Sequence, residues 1–453
     1  MSNPGEADAT PIVSVQQLAD YIAIGCKPAS AYRIGTEHEK FGFHHTTLAS
    51  PPYEPAGIRA VLEGIQAQGW APITDHGNPI GLKRNGASVS LEPAGQLELS
   101  GAPLETLHET ADEMAAHFAD VRAVSEPLNL GFAPLGFHPT QTRDQMPWMP
   151  KSRYRLMRRY MPLVGSMGLD MMTRTCTVQV NLDFCSEADM AAKLKVSLAL
   201  QPVATALFAN SPFYEGKPNG LMSQRAHVWT DTDNARSGMP GVMFAEEFGF
   251  ERYVDWVLDV PMYFVMRDGE IIDLAGASFR DFMAGKLHNQ GIGEATLGDF
   301  ADHLTTVFTD VRLKRFLEMR GADAGTPAMM AAQSALWVGL LHDDAALAAA
   351  LALVRRHPWS AYQALRAEVP RLGLNAPFAG GTARDLARDI VEIAQQGLAA
   401  RARRNPQGQD ETIHLAPLQS IIHGSPTQAE HWLQRFHGAW NGDVTMIFAE
   451  AAI

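Results

Sequence analysis

The chain has 453 residues, of which 46% are hydrophobic and 19% charged, the composition of an ordinary globular protein. Its net charge of −13 at pH 7 argues against nucleic acid or an anionic membrane as the main partner. Three cysteines form no disulfide framework and fit a reducing compartment. The N-terminal sequence MSNPGEADATP lacks the features of a signal peptide, and no window reaches roughly 18 apolar residues. These features predict a cytoplasmic protein that spans no membrane.

The segment Arg33–Phe43, with the sequence RIGTEHEKFGF, is predicted to be a β-strand. Because side chains on a strand alternate between its two faces, Glu37 and Glu39 point to the same side. Two such carboxylates repel each other unless a cation lies between them, and Mg²⁺ is a natural partner because it prefers oxygen ligands. The alternative is an exposed edge strand with both glutamates in water. This segment alone does not distinguish the two interpretations.

The sequence SVSLEPAGQLELSG, residues 88–101, predicts a β-hairpin. In both arms the apolar residues are odd-numbered and the polar residues even-numbered, so Glu92 and Glu98 share the polar face. The turn is not of the Asn-Gly type that most strongly favours a hairpin. A solvent-exposed polar face is again the alternative.

The segment Pro103–Val124 is predicted to be a helix, because its apolar residues recur at spacings of three and four. This pattern is typical of a helix with one buried stripe. His108 and His117 lie off the stripe, and we expect both side chains to be solvated and not to act as ligands.

The segment Thr175–Phe184 has the clearest two-residue period in the chain. One face carries Cys176, Val178, Val180, Leu182 and Phe184, and the other carries Thr175, Thr177, Gln179, Asn181 and Asp183. Hydroxyls and amides along one face are expected of a sheet that lines a polar cavity, although an edge strand facing water would show the same pattern.

Charged residues concentrate again at a predicted helix–strand junction, where Arg312, Glu318 and Arg320 lie close together. Carboxylates for magnesium, with arginines beside them, would make a site for ATP phosphates and a carboxylate substrate. The alternative is an exposed helix stabilised by ion pairs three and four residues apart. The chain has no Walker A, GxGxxG, HExxH, CxxC or GxSxG motif in a usable context, which disfavours several common enzyme classes.

The carboxylate-bearing segments lie between residues 37 and 318 and must converge to form one site. Convergence favours a single large α+β domain, residues 1–453, over separable modules. We expect a catalytic sheet core over about residues 30–325. The Ala/Leu-rich segment of about residues 326–453 is expected to be helical and to pack on that core.

Several long motifs make the prediction specific: IGTEHEKFGF, SLEPAGQLELSG, MPKSRYRLM, TRTCTVQVNLDF, ANSPFYEGKPNG, HVWTDTDNARSG and VRLKRFLEMRGAD. They resemble the plant-type glutamate–cysteine ligase (γ-glutamylcysteine synthetase) family, which also occurs in proteobacteria, and we expect a proteobacterial member. The resemblance runs from Arg33 to the C-terminus and is strongest up to Ala324.

The resemblance implies a glutamine-synthetase-like carboxylate–amine ligase fold, in which a mainly antiparallel sheet forms a funnel with packed helices. It also implies ATP and Mg²⁺ as cofactors, with L-glutamate and L-cysteine as substrates. Phosphorylation of the glutamate side chain to γ-glutamyl phosphate, followed by attack of the cysteine amine, would give γ-glutamylcysteine, the first step of glutathione synthesis. The expected assembly is a monomer or a weak homodimer.

The family pattern assigns a role to each candidate site residue. The expected metal ligands are Glu37, Glu39, Glu92, Glu98 and Glu318. The expected catalytic residues are Arg320, facing the transferred phosphoryl group, and Arg312, touching nucleotide phosphate. Arg153, Arg225 and Tyr263 are expected to bind glutamate, and Gln179 and Asn181 to contact metal-bound water or nucleotide. Lys83 and Arg84, in a predicted flexible loop, are candidates for closing over ATP or are ordinary surface residues.

Two other functions stay open from the sequence. One is a related γ-glutamyl ligase that uses a different amine, and the other is a metal-dependent amide hydrolase, which would need no ATP. The chain also departs from plant members, because it has no cysteine around Lys286-Leu287-His288 where they carry one. We therefore do not expect redox-switched dimerisation.

Overall fold

The structure is a computed structural model that describes residues 8–288 and 291–453. Residues 1–7, on which most of the signal-peptide prediction rests, lie outside the described residues.

The helices are α1 (Val15–Ala23), α2 (Ile58–Gln66), α3 (Leu107–Ser125), α4 (Ser152–Val164), α5 (Gly168–Arg174), α6 (Glu187–Leu207), α7 (Gln224–Val228), α8 (Phe250–Leu258), α9 (Phe279–Met283), α10 (Leu297–Thr305), α11 (Pro327–Leu341), α12 (Asp344–Val354), α13 (Trp359–Leu372), α14 (Ala383–Arg401), α15 (Ala416–Ile422), α16 (Gln428–His437) and α17 (Ile447–Ala451). The strands are β1 (Ile34–His44), β2 (Ala71–Asp75), β3 (Asn78–Arg84), β4 (Ala87–Leu91), β5 (Leu97–Ser100), β6 (Leu130–Ala133), β7 (Thr177–Leu182), β8 (Phe213–Tyr214), β9 (Lys217–Pro218), β10 (Ser237–Gly238), β11 (Phe264–Arg267), β12 (Glu270–Asp273), β13 (Phe308–Thr309), β14 (Val311–Leu313), β15 (Leu317–Asp323), β16 (Pro377–Phe378) and β17 (Gly381–Thr382).

A nine-stranded antiparallel sheet organises the described part of the chain. Its strand order is β14-β15-β7-β1-β5-β4-β3-β2, and β6 pairs with the far end of β1. The three segments whose polar faces were predicted to converge are therefore neighbouring strands: β1 pairs with β7 on one side and with β5 on the other. The α+β class and the mainly antiparallel sheet agree with the sequence prediction.

The two faces of this sheet differ in chemistry because side chains alternate along each strand. The apolar face packs against α2, α3, α6 and α11. Val178 and Val180 of β7 and Leu97 and Leu99 of β5 are each at most 2% exposed on this side. The opposite face carries the glutamates and amides, and it faces a cavity beside α5 and α7. One-sided packing therefore leaves the second face for polar side chains.

Helices α11 to α17 and the short strands β16 and β17 lie after residue 326. α11 packs on α14 and also contacts β1 and β7 of the sheet. Buried residues of α11, such as Leu336 and Trp337, share one hydrophobic cluster with Val180 of β7. Among the described helices, none is long and apolar enough to cross a membrane by itself; α11 and α12, bent by 90°, pass that test only as a pair.

Three local predictions are wrong. Lys83 and Arg84 end strand β3 and do not lie in a loop. The expected helix–strand junction near Arg312 is the hairpin β14–β15, so the exposed-helix interpretation fails. His117 is not solvated: it is 4% exposed, and its ring lies 5.6 Å from that of His38. Burial of His117 follows from the packing of α3 on the sheet, which covers more of the helix than a narrow stripe.

Candidate active site

Three carboxylates meet above the centre of the sheet. Glu39 of β1 lies directly opposite Glu98 of β5, and Glu92 follows β4 at the turn into β5. Carboxylate oxygens of the three residues lie within 4.8 Å of one another, and each residue is less than a tenth exposed. We call this group the carboxylate trio. A solvated polar face, the alternative that the sequence left open, is excluded by this burial.

Burial and the neighbouring carboxylates act on Glu39 of the trio. Burial, and then the charges of Glu92 and Glu98, raise the pKa of Glu39 to about 8. Hydrogen bonds offset part of this cost: Ser90 Oγ donates to Glu98 at 2.7 Å, and the backbone N–H of Thr177 donates to Glu39 at 2.9 Å. A divalent cation would relieve the repulsion, because hard cations take several carboxylate oxygens as ligands. The trio therefore fits a magnesium ion.

Glu318 belongs to a second group, in which cations outnumber carboxylates. Arg312 pairs with it in the β14–β15 register and donates through Nε and Nη2, both at 2.8 Å. Lys314 Nζ lies 3.2 Å from Glu318, and Arg320 also donates to it. Although burial opposes ionisation, Arg312, Lys314 and Arg320 hold the pKa of Glu318 well below its usual range. Both carboxylate oxygens of Glu318 already contact cationic side chains, whereas the oxygens of a metal ligand are expected to face the metal ion.

Glu37, Gln179 and Asn181 connect the trio to the Glu318 group. Glu37 lies opposite Gln179 across the β1–β7 pair, and Asn181 Nδ2 donates to Glu37 at 2.7 Å. Gln179 in turn accepts a hydrogen bond from Arg320. Burial, and then the charges of Glu318 and Glu98, raise the pKa of Glu37 to about 7. The two groups thus form one continuous polar surface over neighbouring strands.

Arg225 of α7 closes this surface from the cavity side. It is 4% exposed, and its Nη2 donates to the backbone carbonyl of Arg320 at 2.8 Å. Glu39, Glu92, Arg225 and Arg320 line the same cavity. Trp229 also lines it, one helical turn after Arg225. Anionic and cationic side chains therefore face one enclosed space.

The other predicted binding residues have different surroundings. Arg153 of α4 is 2% exposed, with its guanidinium 5.5 Å from the ring centre of Phe264. The hydroxyl of Tyr263 donates to Asp233 at 3.1 Å, and the guanidinium of Arg236 lies 3.8 Å from the centre of its ring. Tyr263 is thus held in an ion-pair network and is not among the residues that line the cavity of the trio.

Strand alternation separates Lys83 from Arg84. Ser90 lies opposite both Glu98 and Gly81, so Lys83, two residues after Gly81, extends on the carboxylate side and is exposed. Arg84 points to the helix-covered side, where it stacks on Trp70 at 4.3 Å and pairs with Asp120 at 3.6 Å. The structure does not bring Arg84 to the trio.

Four residues that the sequence did not single out contribute to the site. Ser90 and Lys314 contact Glu98 and Glu318 as described above, and Trp229 lines the cavity. Lys151, just before α4, is buried and interacts electrostatically with Glu92 and Glu98. Ser90 could have been found from its even-numbered place on the polar face of the hairpin. The other three lie in the long motifs, but nothing in their spacing distinguishes them.

The architecture resembles that of a solved structure, glutamate–cysteine ligase from Francisella tularensis in complex with AMP. The two share 12% sequence identity and a TM-score of 0.56, and the similarity covers 93% of this chain and 87% of that one. The protein therefore has a glutamine-synthetase-like ligase fold, as predicted.

Within that class, the chain belongs to glutamate–cysteine ligase family 2, whose model matches residues 33–450. It is 50% identical over 436 residues to glutamate–cysteine ligase, chloroplastic, of Nicotiana tabacum, covering 96% of this chain and 82% of that protein. Glutamate–cysteine ligase B, chloroplastic, of Oryza sativa subsp. japonica is 51% identical over 437 residues, which is 96% of this chain and 86% of that protein. The plant-type family prediction is confirmed.

The predicted cytoplasmic location is wrong, because the names of similar proteins contradict it. The relatives from Nicotiana tabacum and Oryza sativa are named chloroplastic, as is one from Arabidopsis thaliana that is 48% identical over 98% of this chain and 83% of that protein. These names point to a plastid and not to the cytoplasm. Net charge and cysteine content could not reveal this, because neither property distinguishes one reducing compartment from another.

Proposed function

We propose that this site joins the γ-carboxylate of L-glutamate to the amine of L-cysteine at the expense of ATP, giving γ-glutamylcysteine. Membership of glutamate–cysteine ligase family 2 defines the activity, and one structural observation supports its location in the structure: Glu39 and Glu92 of the carboxylate trio line the same cavity as Arg225 and Arg320. Phosphoryl transfer to a carboxylate needs its charges neutralised and its reactants aligned, and this set of residues can do both.

Mg²⁺ is the proposed metal cofactor, with Glu39, Glu92 and Glu98 as the ligands of one ion. The supporting observation is the closeness of three buried carboxylates, of which Glu92 and Glu98 help to raise the pKa of Glu39. When bound, Mg²⁺ would neutralise phosphate oxygens of ATP. Glu37, between the trio and Glu318, is the proposed ligand of a second ion, with Gln179 and Asn181 in contact with its water or with the nucleotide.

The arginines have separate proposed roles. Arg320, held by Glu318 and Gln179 at the cavity wall, faces the transferred phosphoryl group. Arg312 is 1% exposed and also donates to the carbonyl oxygens of Thr305 at 2.7 Å and Val307 at 3.2 Å. These contacts favour a positioning role for Arg312, which fixes Glu318 and through it Arg320, over the direct phosphate contact predicted from the sequence.

Glutamate binding is proposed for Arg225 and Arg153, since a guanidinium can hold a carboxylate through two parallel hydrogen bonds. Tyr263 would support this pocket from behind, because its hydroxyl is engaged by Asp233. Lys83 is the proposed rim residue over the nucleotide. We further propose that residues 1–453 work as one catalytic domain, as a monomer or a weak homodimer.

The test is a stoichiometry measurement. Purified protein with L-glutamate, L-cysteine, ATP and Mg²⁺ should release ADP and phosphate in equal amounts with γ-glutamylcysteine. Turnover with another amine but none with cysteine would identify a related γ-glutamyl ligase. Equal product without ATP would identify a hydrolase.

A further inference from the structure

Lys151 is a buried cation close to the carboxylate trio, and the proposed reaction assigns it no role. It lies immediately before α4 in the motif MPKSRYRLM, and it is 4% exposed. Within residues 8–288 and 291–453, its Nζ has no hydrogen-bond partner. Burying an ammonium group without a hydrogen bond is costly, so the protein must gain something from placing it there.

The backbone around Lys151 is fixed to the strands that carry the trio. The N–H of Met149 donates to the carbonyl of Pro93, the residue after Glu92, at 2.9 Å. Ser152 donates to Asp75 of β2 through its backbone N–H at 2.6 Å and its hydroxyl at 2.9 Å. Tyr154 donates from its hydroxyl to the carbonyl of Leu91. Contacts on both sides of Lys151 therefore hold the start of α4 against the β4–β5 turn.

Charged groups of both signs act on Lys151. Arg153, two residues along, repels its ammonium, whereas Glu92, Glu98 and Asp75 attract it. Burial lowers the pKa of Lys151 to about 8, so most molecules keep the positive charge at neutral pH. An anionic oxygen beside the ammonium of Lys151 would supply the missing hydrogen-bond acceptor.

We propose that Lys151 is a catalytic residue that binds a terminal phosphate oxygen of the nucleotide beside the carboxylate trio. A divalent cation on Glu92 and Glu98 takes up the carboxylate charge that otherwise attracts Lys151. Its ammonium then needs another anionic oxygen, and a lysine is suited to phosphate as a compact charge with three donors. This inference rests on the proposed function, since it assumes that ATP binds at the trio.

The test compares the binding affinities of nucleotides with one, two and three phosphates. Isothermal titration calorimetry measures these affinities without turnover. Lys151→Met and Lys151→Arg are compared with the wild type for AMP, ADP and the non-hydrolysable analogue AMP-PNP at saturating Mg²⁺. Lys151→Met should weaken AMP-PNP at least tenfold, ADP less, and AMP by less than twofold. Lys151→Arg should recover part of the loss because it keeps the charge. Lys217→Met, at an exposed lysine of β9, is the control and should bind like the wild type.

Three outcomes would overturn the assignment: an equal loss for all three nucleotides, no loss for AMP-PNP, or a loss of L-glutamate binding alone. A variant that needs a higher Mg²⁺ concentration for half-maximal nucleotide binding, but has normal nucleotide affinity at saturating Mg²⁺, would also overturn the assignment. Lys151 would then only position the carboxylates. If Lys151→Met does not fold, as judged by circular dichroism, Lys151→Gln takes its place with the same expectations. Failure of the proposed function itself would differ, because the wild type would then bind no AMP-PNP or form no γ-glutamylcysteine.

Discussion

The Glu39→Gln variant distinguishes the effect of the carboxylate trio on the stability of the folded protein from its effect on activity. Burial and the neighbouring carboxylates raise the folded-state pKa of Glu39 from 4.5 to about 8. Without metal, the folded state therefore holds a proton that the unfolded state releases above pH 4.5. Stability then falls as the pH rises from 4.5 to 8, by about 1.4 kcal/mol for each pH unit.

At pH 7 this effect amounts to at most about 3.5 kcal/mol. Glutamine keeps the size of the side chain but carries no charge, so Glu39→Gln should be more stable than the wild type in EDTA at pH 7. The two proteins should differ little at pH 4.5. Mg²⁺ binds the ionised carboxylate, so it should stabilise the wild type more at pH 8 than at pH 6 and should barely stabilise the variant.

The activity of Glu39→Gln should fall by about a thousandfold or more, equivalent to about 4 kcal/mol of transition-state stabilisation. Thermal unfolding with EDTA or Mg²⁺ across pH 4.5 to 8 measures the first effect, and ADP release measures the second. Glu63→Gln, at an exposed glutamate of α2, is the control and should change neither. A variant that loses stability in EDTA at pH 7, or that retains near-normal activity, would refute the reasoning.

The remaining predictions concern four other positions. Glu318→Gln should lower the free energy of unfolding by about 3–5 kcal/mol, because it leaves buried cations without their carboxylate; an unchanged thermal midpoint in EDTA would contradict the described pairing. Arg225→Lys should raise the KM for L-glutamate at least tenfold, since an ammonium cannot form two parallel hydrogen bonds, and an unchanged KM would remove Arg225 from the glutamate site. Lys83→Met should raise the KM for ATP severalfold. Arg84→Met should leave this KM unchanged and lower the free energy of unfolding by less than about 1 kcal/mol. The reverse pattern would contradict the assignment of Lys83 and Arg84 to opposite faces of the sheet.

The two-residue periodicity of the sequence predicted most of the residues of the site. Glu39, Glu98 and Gln179 were assigned to polar strand faces from alternation alone, and the structure places those strands side by side. Alternation could not say which strands are neighbours, because pairing depends on contacts between distant segments. The resemblance to a family supplied that missing information.

The sequence predictions failed where long-range packing determines the environment of a residue. His117 lies off the apolar stripe of α3, yet the helix packs so closely on β1 that its ring is buried against His38. Lys83 and Arg84 are flanked by glycines, which suggested a loop, although they extend a strand up to a tight turn at Asn85 and Gly86. The partners of Glu318 are adjacent only because β14 and β15 form a hairpin.

The most direct test of the carboxylate trio is a crystal structure of the protein with Mn²⁺ in place of Mg²⁺, together with AMP-PNP and L-glutamate. Anomalous scattering locates Mn²⁺ independently of any assumption about the fold. A peak within coordination distance of Glu39, Glu92 and Glu98, with the terminal phosphate on the same ion, is the predicted result. A fully bound nucleotide whose metal peak lies away from these three carboxylates would contradict the account.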